Sequence, residues 1–330
     1  MALRALQVPA DLVPVADMAV ESFQYPENPA WSVQKDEKEQ IVNGIRNVAR
    51  IWPLIRLVGL VSPTILDVFL GHAWEEDGKI VGVTIVQRRG STDVWVVGTV
   101  GVLPAYRRRG IARQLLTASM DLMRERGATQ AILGVIDGNL PAYKLYEDLG
   151  FEHYSGMIEF EAQISEPGPA PTMPQGYHQK SLSPHDWQPR YELEKRICPE
   201  STQRYDPVTE GRYRRPLGMR LLYPILMLAQ AMRDGDFAVY ANEDGQLVAR
   251  GGHTIPRRGQ GVNSLRARLD PAHADLAPYL MGTLIRDVMT LSPGHRIDFT
   301  VPEWMEALVA AAEEQGLQRR LRYLLMGIEL

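Results

Sequence analysis

The stretch Val102-Leu103-Pro104-Ala105-Tyr106-Arg107-Arg108-Arg109-Gly110-Ile111-Ala112 joins a strand to an amphipathic helix, and it reads as a pyrophosphate cradle. Upstream, residues 94–102 are β-branched and aromatic with two interior glycines, Gly98 and Gly101. Downstream, Ile111, Leu115, Ala118 and Leu122 recur at helical spacing. The chain therefore reaches a helix N-terminus, where amide N–H groups lack intrahelical acceptors and the macrodipole favours anions. Gly110 and the small Ala112 leave those amides open to phosphate oxygens, while Arg107, Arg108 and Arg109 supply positive charge. Two commoner phosphate loops are excluded by spacing: the chain has no Gly-x-x-x-x-Gly-Lys-Ser/Thr run, and Gly98, Gly101 and Gly110 do not form Gly-x-Gly-x-x-Gly.

Arg107-x-x-Gly110-x-Ala112 behind Val-x-Pro resembles the acetyl-coenzyme A signature of the GNAT superfamily of N-acetyltransferases. After a buried-looking strand at 131–136 comes Asn139-x-x-Ala142-x-x-Leu145-Tyr146-x-x-Leu149-Gly150-Phe151, which is similar to the second half of that family's cofactor site. The resemblance implies a mixed, mostly antiparallel twisted sheet flanked by helices, an α/β fold (α+β in some schemes). It also implies acetyl-CoA as cosubstrate, held by Val102, Arg107, Arg108, Arg109, Gly110, Ile111, Ala112 and Asn139. Val102 is expected to act through backbone groups, and Asn139 either to cap its helix or to bond the pantetheine arm. Gly98 and Gly101 mark a bulge where this strand splays from the next, or close packing of a helix beneath.

Element patterning agrees with that fold over residues 1–165. Short strands are expected at 3–8, 69–74 and 80–87, the last two joined by the hairpin signal Glu75-Glu76-Asp77-Gly78. Helices are expected at 11–23 and around Ile41, Ile45, Val48 and Trp52, the second stopped or kinked at Pro53. A helix at 140–149 and an alternating strand at 157–162 close the unit. Residues 166–176 are dense in proline and form a stiff linker.

Residues 177–330 repeat the plan in faded form. Glu76-Asp77-Gly78-Lys79-Ile80-Val81 corresponds to Glu243-Asp244-Gly245-Gln246-Leu247-Val248, and Val102-Leu103-Pro104 to Leu269-Asp270-Pro271. Arg109-Gly110-Ile111-Ala112, however, falls opposite Leu276-Ala277-Pro278-Tyr279, and Tyr146 opposite Ala312. The second unit is expected to be a degenerate GNAT-like domain that keeps the fold and not the site.

Composition sets the class. The chain has 330 residues, 45% apolar, a net charge of −4 and one cysteine, Cys198. These values fit two packed domains of a cytoplasmic protein and give no sign of a nucleic-acid or membrane binder. Neither a signal peptide nor a membrane span is expected, since Pro53, Arg56, Pro63 and Asp67 break the apolar stretch at 51–70. The seven histidines lack zinc-ligand spacing, so no metal is expected. Arg212, Arg214, Arg215 and Arg220 read either as a contact for an acidic substrate or, the favoured reading, as a solvated or salt-bridged face, and Leu217, Leu221, Ile225, Leu228 and Met232 as a core-facing helical stripe.

Direct acetyl transfer to an amine needs an acid for the leaving thiolate. Phenol and thiol pKa values, about 10 and about 8.5, are close enough for Tyr146 to serve by resemblance, although Ala142, Leu145, Tyr146 and Leu149 also form one packing face. An alkylammonium, pKa about 10.4, must also lose a proton. Strand 94–102 carries no acid, which leaves Glu21, Glu27, His72, Asp137 or water as the base. The acceptor is a small-molecule or peptide amine, expected to enter over 24–32 with the second domain as a further wall; a surface loop covering the core is the alternative. A non-catalytic acyl-CoA-binding or regulatory module would keep residues 107–112 without needing Tyr146.

Overall fold

A computed structural model describes residues 2–60, 62–164, 166–183, 185–257 and 261–330. Ser165, the last residue of the first expected unit, and Val61, within the apolar stretch, lie outside them. The first half runs β1 (Ala2–Ala5), α1 (Leu12–Ser22), α2 (Lys35–Gly59), β2 (Leu70–Glu76), β3 (Lys79–Arg88), β4 (Val94–Val102), α3 (Ile111–Glu125), β5 (Gln130–Ile136), α4 (Leu140–Asp148) and β6 (Glu152–Ala162). The second half begins with β7 (Tyr177–Ser181), α5 (Trp187–Ile197), α6 (Glu200–Gln203), α7 (Glu210–Tyr213) and α8 (Leu217–Ala229). It continues with β8 (Met232–Ala241), β9 (Leu247–Pro256), β10 (Asn263–Leu269), α9 (Ala277–Leu291), β11 (Ile297–Pro302), α10 (Glu306–Glu314) and β12 (Gln318–Glu329).

Local chemistry explains several boundaries. Asp77 and Gly78, at φ 51° and 74°, make the tight turn between β2 and β3, a geometry that matches strand twist. Helix α2 starts at a reciprocal capping box between Gln34 and Glu37. It runs through Pro53 to Gly59 and is not stopped there: burial of Val48, Trp52 and Ile55 in one cluster outweighs the hydrogen bond that Pro53 removes.

The strands of the described residues join one twelve-stranded sheet, ordered β1-β2-β3-β4-β5-β12-β6-β11-β10-β9-β8-β7. The last strand of each half has crossed into the other. β12 pairs with β5 from Tyr323↔Ile136 to Glu329↔Gln130, and β6 pairs with β11 from Ile297↔Ala162 to Pro302↔Met157. β6 and β12 pair with each other at the centre. The cores follow this exchange. Met326 is fully buried with Leu133, Val135, Tyr146 and Phe151, while Ile158, Phe160 and Ala162 join Phe299, Leu280 and Leu284 in the core of the second half.

Helix α8 corrects one sequence reading. Its period is helical, but Leu217, Leu221 and Leu228 are 72%, 74% and 65% exposed, so they are not core residues. Gly218 and Leu222 face α2 instead, and a Cβ on Gly218 would come within 2.7 Å of the Ser62 side chain. Met232 lies beyond the helix, in β8.

Candidate active site

Strands β4 and β5 run parallel only over Val94↔Gln130, Trp95↔Ala131 and Val96↔Ile132. Beyond these pairs they part and open a cleft of ≈ 1490 Å³. Between β3 and β4 the register steps from Ile85↔Thr99 to Val86↔Val97, so Gly98 is the extra residue of a bulge, which bends the strand where it leaves β5. Gly101 has the other role foreseen for these glycines: a Cβ there would lie 2.6 Å from Ser22 Oγ, so the glycine admits the end of α1.

The turn after β4 delivers α3 to the cleft. Gly110 caps the helix in the left-handed region, φ 75°, where glycine carries no steric cost. The first intrahelical bond runs from Gln114 N–H to Gly110 O, 3.2 Å, so the amides of the first turn have no partner in the helix. A Cβ on Gly110 would touch nothing nearer than Gln114 Nε2 at 4.0 Å, so the surface there is open. Arg108, Gly110, Ile111, Ala112 and Arg113 line the cleft.

The three arginines are not equivalent. The Arg107 guanidinium donates to Ser22 O at 2.7 Å and Val102 O at 3.2 Å and lies over the Tyr25 ring, tying α1 to β4. Arg109 donates to Ala105 O, stacks on Tyr106 and is not among the lining residues. Arg108 is exposed, with a left-handed backbone at φ 65°.

Asn139 Oδ1 accepts from the Ala142 N–H at 3.4 Å, so its side chain caps α4, and the residue also lines the cleft. Tyr146 is 8% exposed, packs edge-on to Phe151 and lines the cleft as well. The side chain therefore packs in the core, as one reading has it, and also reaches the cleft. Burial, with a smaller effect from nearby Tyr25, pushes its hydroxyl above the ordinary phenol pKa, so it carries its proton at neutral pH.

The base candidates from the sequence scatter. Glu27 sits on the cleft rim, exposed. His72 is bonded to Ser119 of α3, Asp137 is ion-paired with Arg322 at 2.9 Å, and neither these two nor Glu21 lines the cleft. Tyr25, Glu27, Asn28 and Trp31 of the 24–32 segment do line it, together with Met232, Asp298, Arg320 and Tyr323 from the second half.

Strand exchange brings in polar residues that the sequence reading passed over. Glu159 on β6 accepts from Arg320 Nη1 and from the Tyr323 hydroxyl, each at 3.0 Å. Arg320 is directed there by a bulge, since the β12 register skips from Arg319 to Leu321. Burial raises the Glu159 pKa, more than Arg320 lowers it. On neighbouring β11, Asp298 is pushed up to about 7 by burial, against Arg296 at 3.0 Å and with help from Glu159. Glu37 of α2, by contrast, is held below the ordinary range by Arg320 and Arg296 despite its burial. The available signal was the alternation Met157-Ile158-Glu159-Phe160-Glu161-Ala162, which puts two carboxylates on the face opposite the core residues.

Among the described residues of the second half, the start of α9 forms no equivalent cradle. Leu276, fully buried, stands at the N-cap of α9 with Pro278 in the first turn, and Ala312, opposite Tyr146, is fully buried. No helix of the described residues is long and apolar enough to cross a membrane.

The chain is similar to known proteins in sequence and in fold. Residues 62–151 match the acetyltransferase (GNAT) family. Over 143 residues, 42% of this chain and 85% of the relative, the sequence is 27% identical to N-alpha-acetyltransferase 30 of Schizosaccharomyces pombe. It is 33% identical over 90 residues to mycothiol acetyltransferase of Thermomonospora curvata, 27% of this chain and only 29% of that protein. In fold, a tandem GNAT protein from the clavulanic acid biosynthesis pathway is similar over 99% of this chain and 98% of its own, with TM-score 0.64 and 12% identity. A GCN5-related N-acetyltransferase from Sphaerobacter thermophilus is similar over 99% and 95%, with TM-score 0.63 and 16% identity.

Proposed function

Since the chain belongs to the GNAT superfamily of N-acetyltransferases and holds two copies of its fold, we propose that the first half binds acetyl-CoA and transfers the acetyl group directly to an amine. The observation that carries this reading is the convergence of the splayed β4–β5 edge, the open helix start at Gly110 and the Tyr146 side chain on one cleft. The residues fit the cosubstrate: a Cβ added at Gly110 would face open space at the mouth of unpartnered amides, as a pyrophosphate site requires. Held there, acetyl-CoA supplies the activated thioester.

The amides of α3 and the exposed Arg108 bind the phosphates, and Arg107 fixes the cradle by bonding Ser22 and Val102. Tyr146 donates its proton toward the departing sulfur. Its raised pKa keeps the proton in place, and the same apolar surroundings raise the pKa of a thiolate formed beside it, so donor and acceptor stay matched. Glu159 takes the amine proton through the Tyr323 hydroxyl. It sits two strands from β5, across β12, roughly 10 Å at ordinary strand spacing, and Tyr323 on β12 spans that gap.

A screen of small-molecule and peptide amines, following release of the free thiol, tests the activity. Tyr146→Phe keeps the contact with Phe151 and removes only the hydroxyl. It is expected to slow single-turnover transfer by about 10²–10⁴ with acetyl-CoA affinity near wild type. An unchanged rate would leave Tyr146 as packing and support a non-catalytic acyl-CoA-binding module.

A further inference from the structure

A second cavity of ≈ 390 Å³ lies under α8, lined by Arg190, Arg215, Arg250 and Arg266 together with Asp234 and Asp236. Its carboxylates are already committed. Asp236 pairs with Arg190 at 3.1 Å and Arg266 at 3.5 Å, while Asp234 accepts from the Tyr223 and Thr254 hydroxyls. Arg250 reaches Glu194 at 3.3 Å, outside the cavity lining. Arg215 is left over. Among the described residues no carboxylate lies within ion-pair distance of it, and its Nη1 is buried with no hydrogen-bond partner. Its guanidinium lies over the Tyr223 ring, with Cζ 3.9 Å from the centroid. A fixed, charged planar donor with a buried N–H that no protein group accepts suits an anionic acceptor, because leaving such a donor unmatched costs free energy that a bound anion returns.

The cavity adjoins the acetyl-transfer cleft. Gln40, Gln230 and Met232 line both spaces, and the Gln40 side chain spans the boundary, accepting from Val262 N–H at 3.0 Å and reaching Met232 Sδ at 4.0 Å. From this juxtaposition, and resting on the acetyl-transfer reading, we propose that Arg215 is an anion subsite for the acceptor. The amine that is acetylated carries a carboxylate or phosphate at its far end, which passes Gln40 and binds the Arg215 guanidinium. With Arg190, Arg266 and Arg250 set against Asp236, Asp234 and Glu194, Arg215 is the cation left in excess among the described residues, and it makes the site attract an anion. The planar guanidinium suits the two oxygens of either group.

The whole chain tests this in two arms. Calorimetry with inorganic phosphate and with succinate is expected to show binding that Arg215→Gln weakens at least tenfold and Arg215→Lys less. Arg220→Gln, a change at an exposed arginine, should bind as wild type. Equal binding by Arg215→Gln, or no binding of either anion by wild type, overturns the subsite. In the second arm, aliphatic amines of rising length ending in carboxylate, phosphate or methyl are offered with acetyl-CoA. Wild type should prefer one anionic series at least tenfold in kcat/KM, and Arg215→Gln should lose that preference with acetyl-CoA affinity unchanged. Which series is preferred identifies the anion. Acetylation without anionic preference overturns the subsite and leaves the transfer reading intact. Anion binding lost in Arg215→Gln, with no amine acetylated, does the reverse.

Discussion

Exchange of β6 and β12 puts Met326 of the second half directly opposite Leu133 of β5, both buried in the core that also holds Tyr146. Replacing either residue by alanine removes several apolar atoms from a site with 0% and 3% exposure. Such truncations cost about 2–5 kcal/mol each, the transfer loss plus the cavity left behind. Because the two cavities would merge, the double variant should lose less than the sum, with a coupling of roughly 1 kcal/mol, within the usual range for residues in contact. Urea unfolding of the single and double variants measures this, provided the slope with denaturant stays constant. Phe160 and Phe299 give the reciprocal pair, register partners with stacked rings 6.2 Å apart, and should couple by about 0.5–1.5 kcal/mol. Met326 paired with Phe299 is the control and should be additive within about 0.5 kcal/mol. Were β12 retained beside β11 in its own half, Met326 would couple to Phe299 and not to Leu133. That pattern would refute the exchange and, with it, the route by which Glu159 and Tyr323 reach the cleft.

Gly110→Glu places a like charge and a side chain at the mouth of the α3 amides, at a φ of 75° that also strains any L-residue; acetyl-CoA binding by calorimetry should be lost, and wild type should bind one equivalent. Two equivalents would mean that the second half also binds the cofactor. Glu159→Gln should lower kcat/KM by about 10²–10⁴ and abolish the acid limb of the pH profile. The base acts ionised and its pKa is raised, so wild-type activity should fall, as pH drops, at a pH above the ordinary value of 4.5, whereas the variant should show no such step. A wild-type profile flat through that region would remove Glu159 from the mechanism.

Sequence alone determined the features that depend on near neighbours. A strand, a basic turn and a helix start within 102–112 specify the open amides, because capping geometry is set by φ/ψ over a few residues and only glycine enters the left-handed region freely. The hairpin at Asp77-Gly78, the strand at 94–102 and the α4 cap at Asn139 were legible for the same reason. Alternation in 157–162 showed which face of β6 is buried, but not which edge it joins, since a strand's apolar face fits any complementary layer and its partner is chosen by distant chain. The exchange, and the Glu159–Tyr323 pair that it assembles, therefore had no local signature. The same limit explains α8, where periodicity fixed the helix and packing against α2 chose Gly218 and Leu222 over the larger stripe. It explains the arginines too: charge type was visible at 107–109 and 212–220, yet which guanidinium is already bonded, as in Arg107, and which is left without an acceptor, as in Arg215, depends on carboxylates and carbonyls brought near only by the folded sheet.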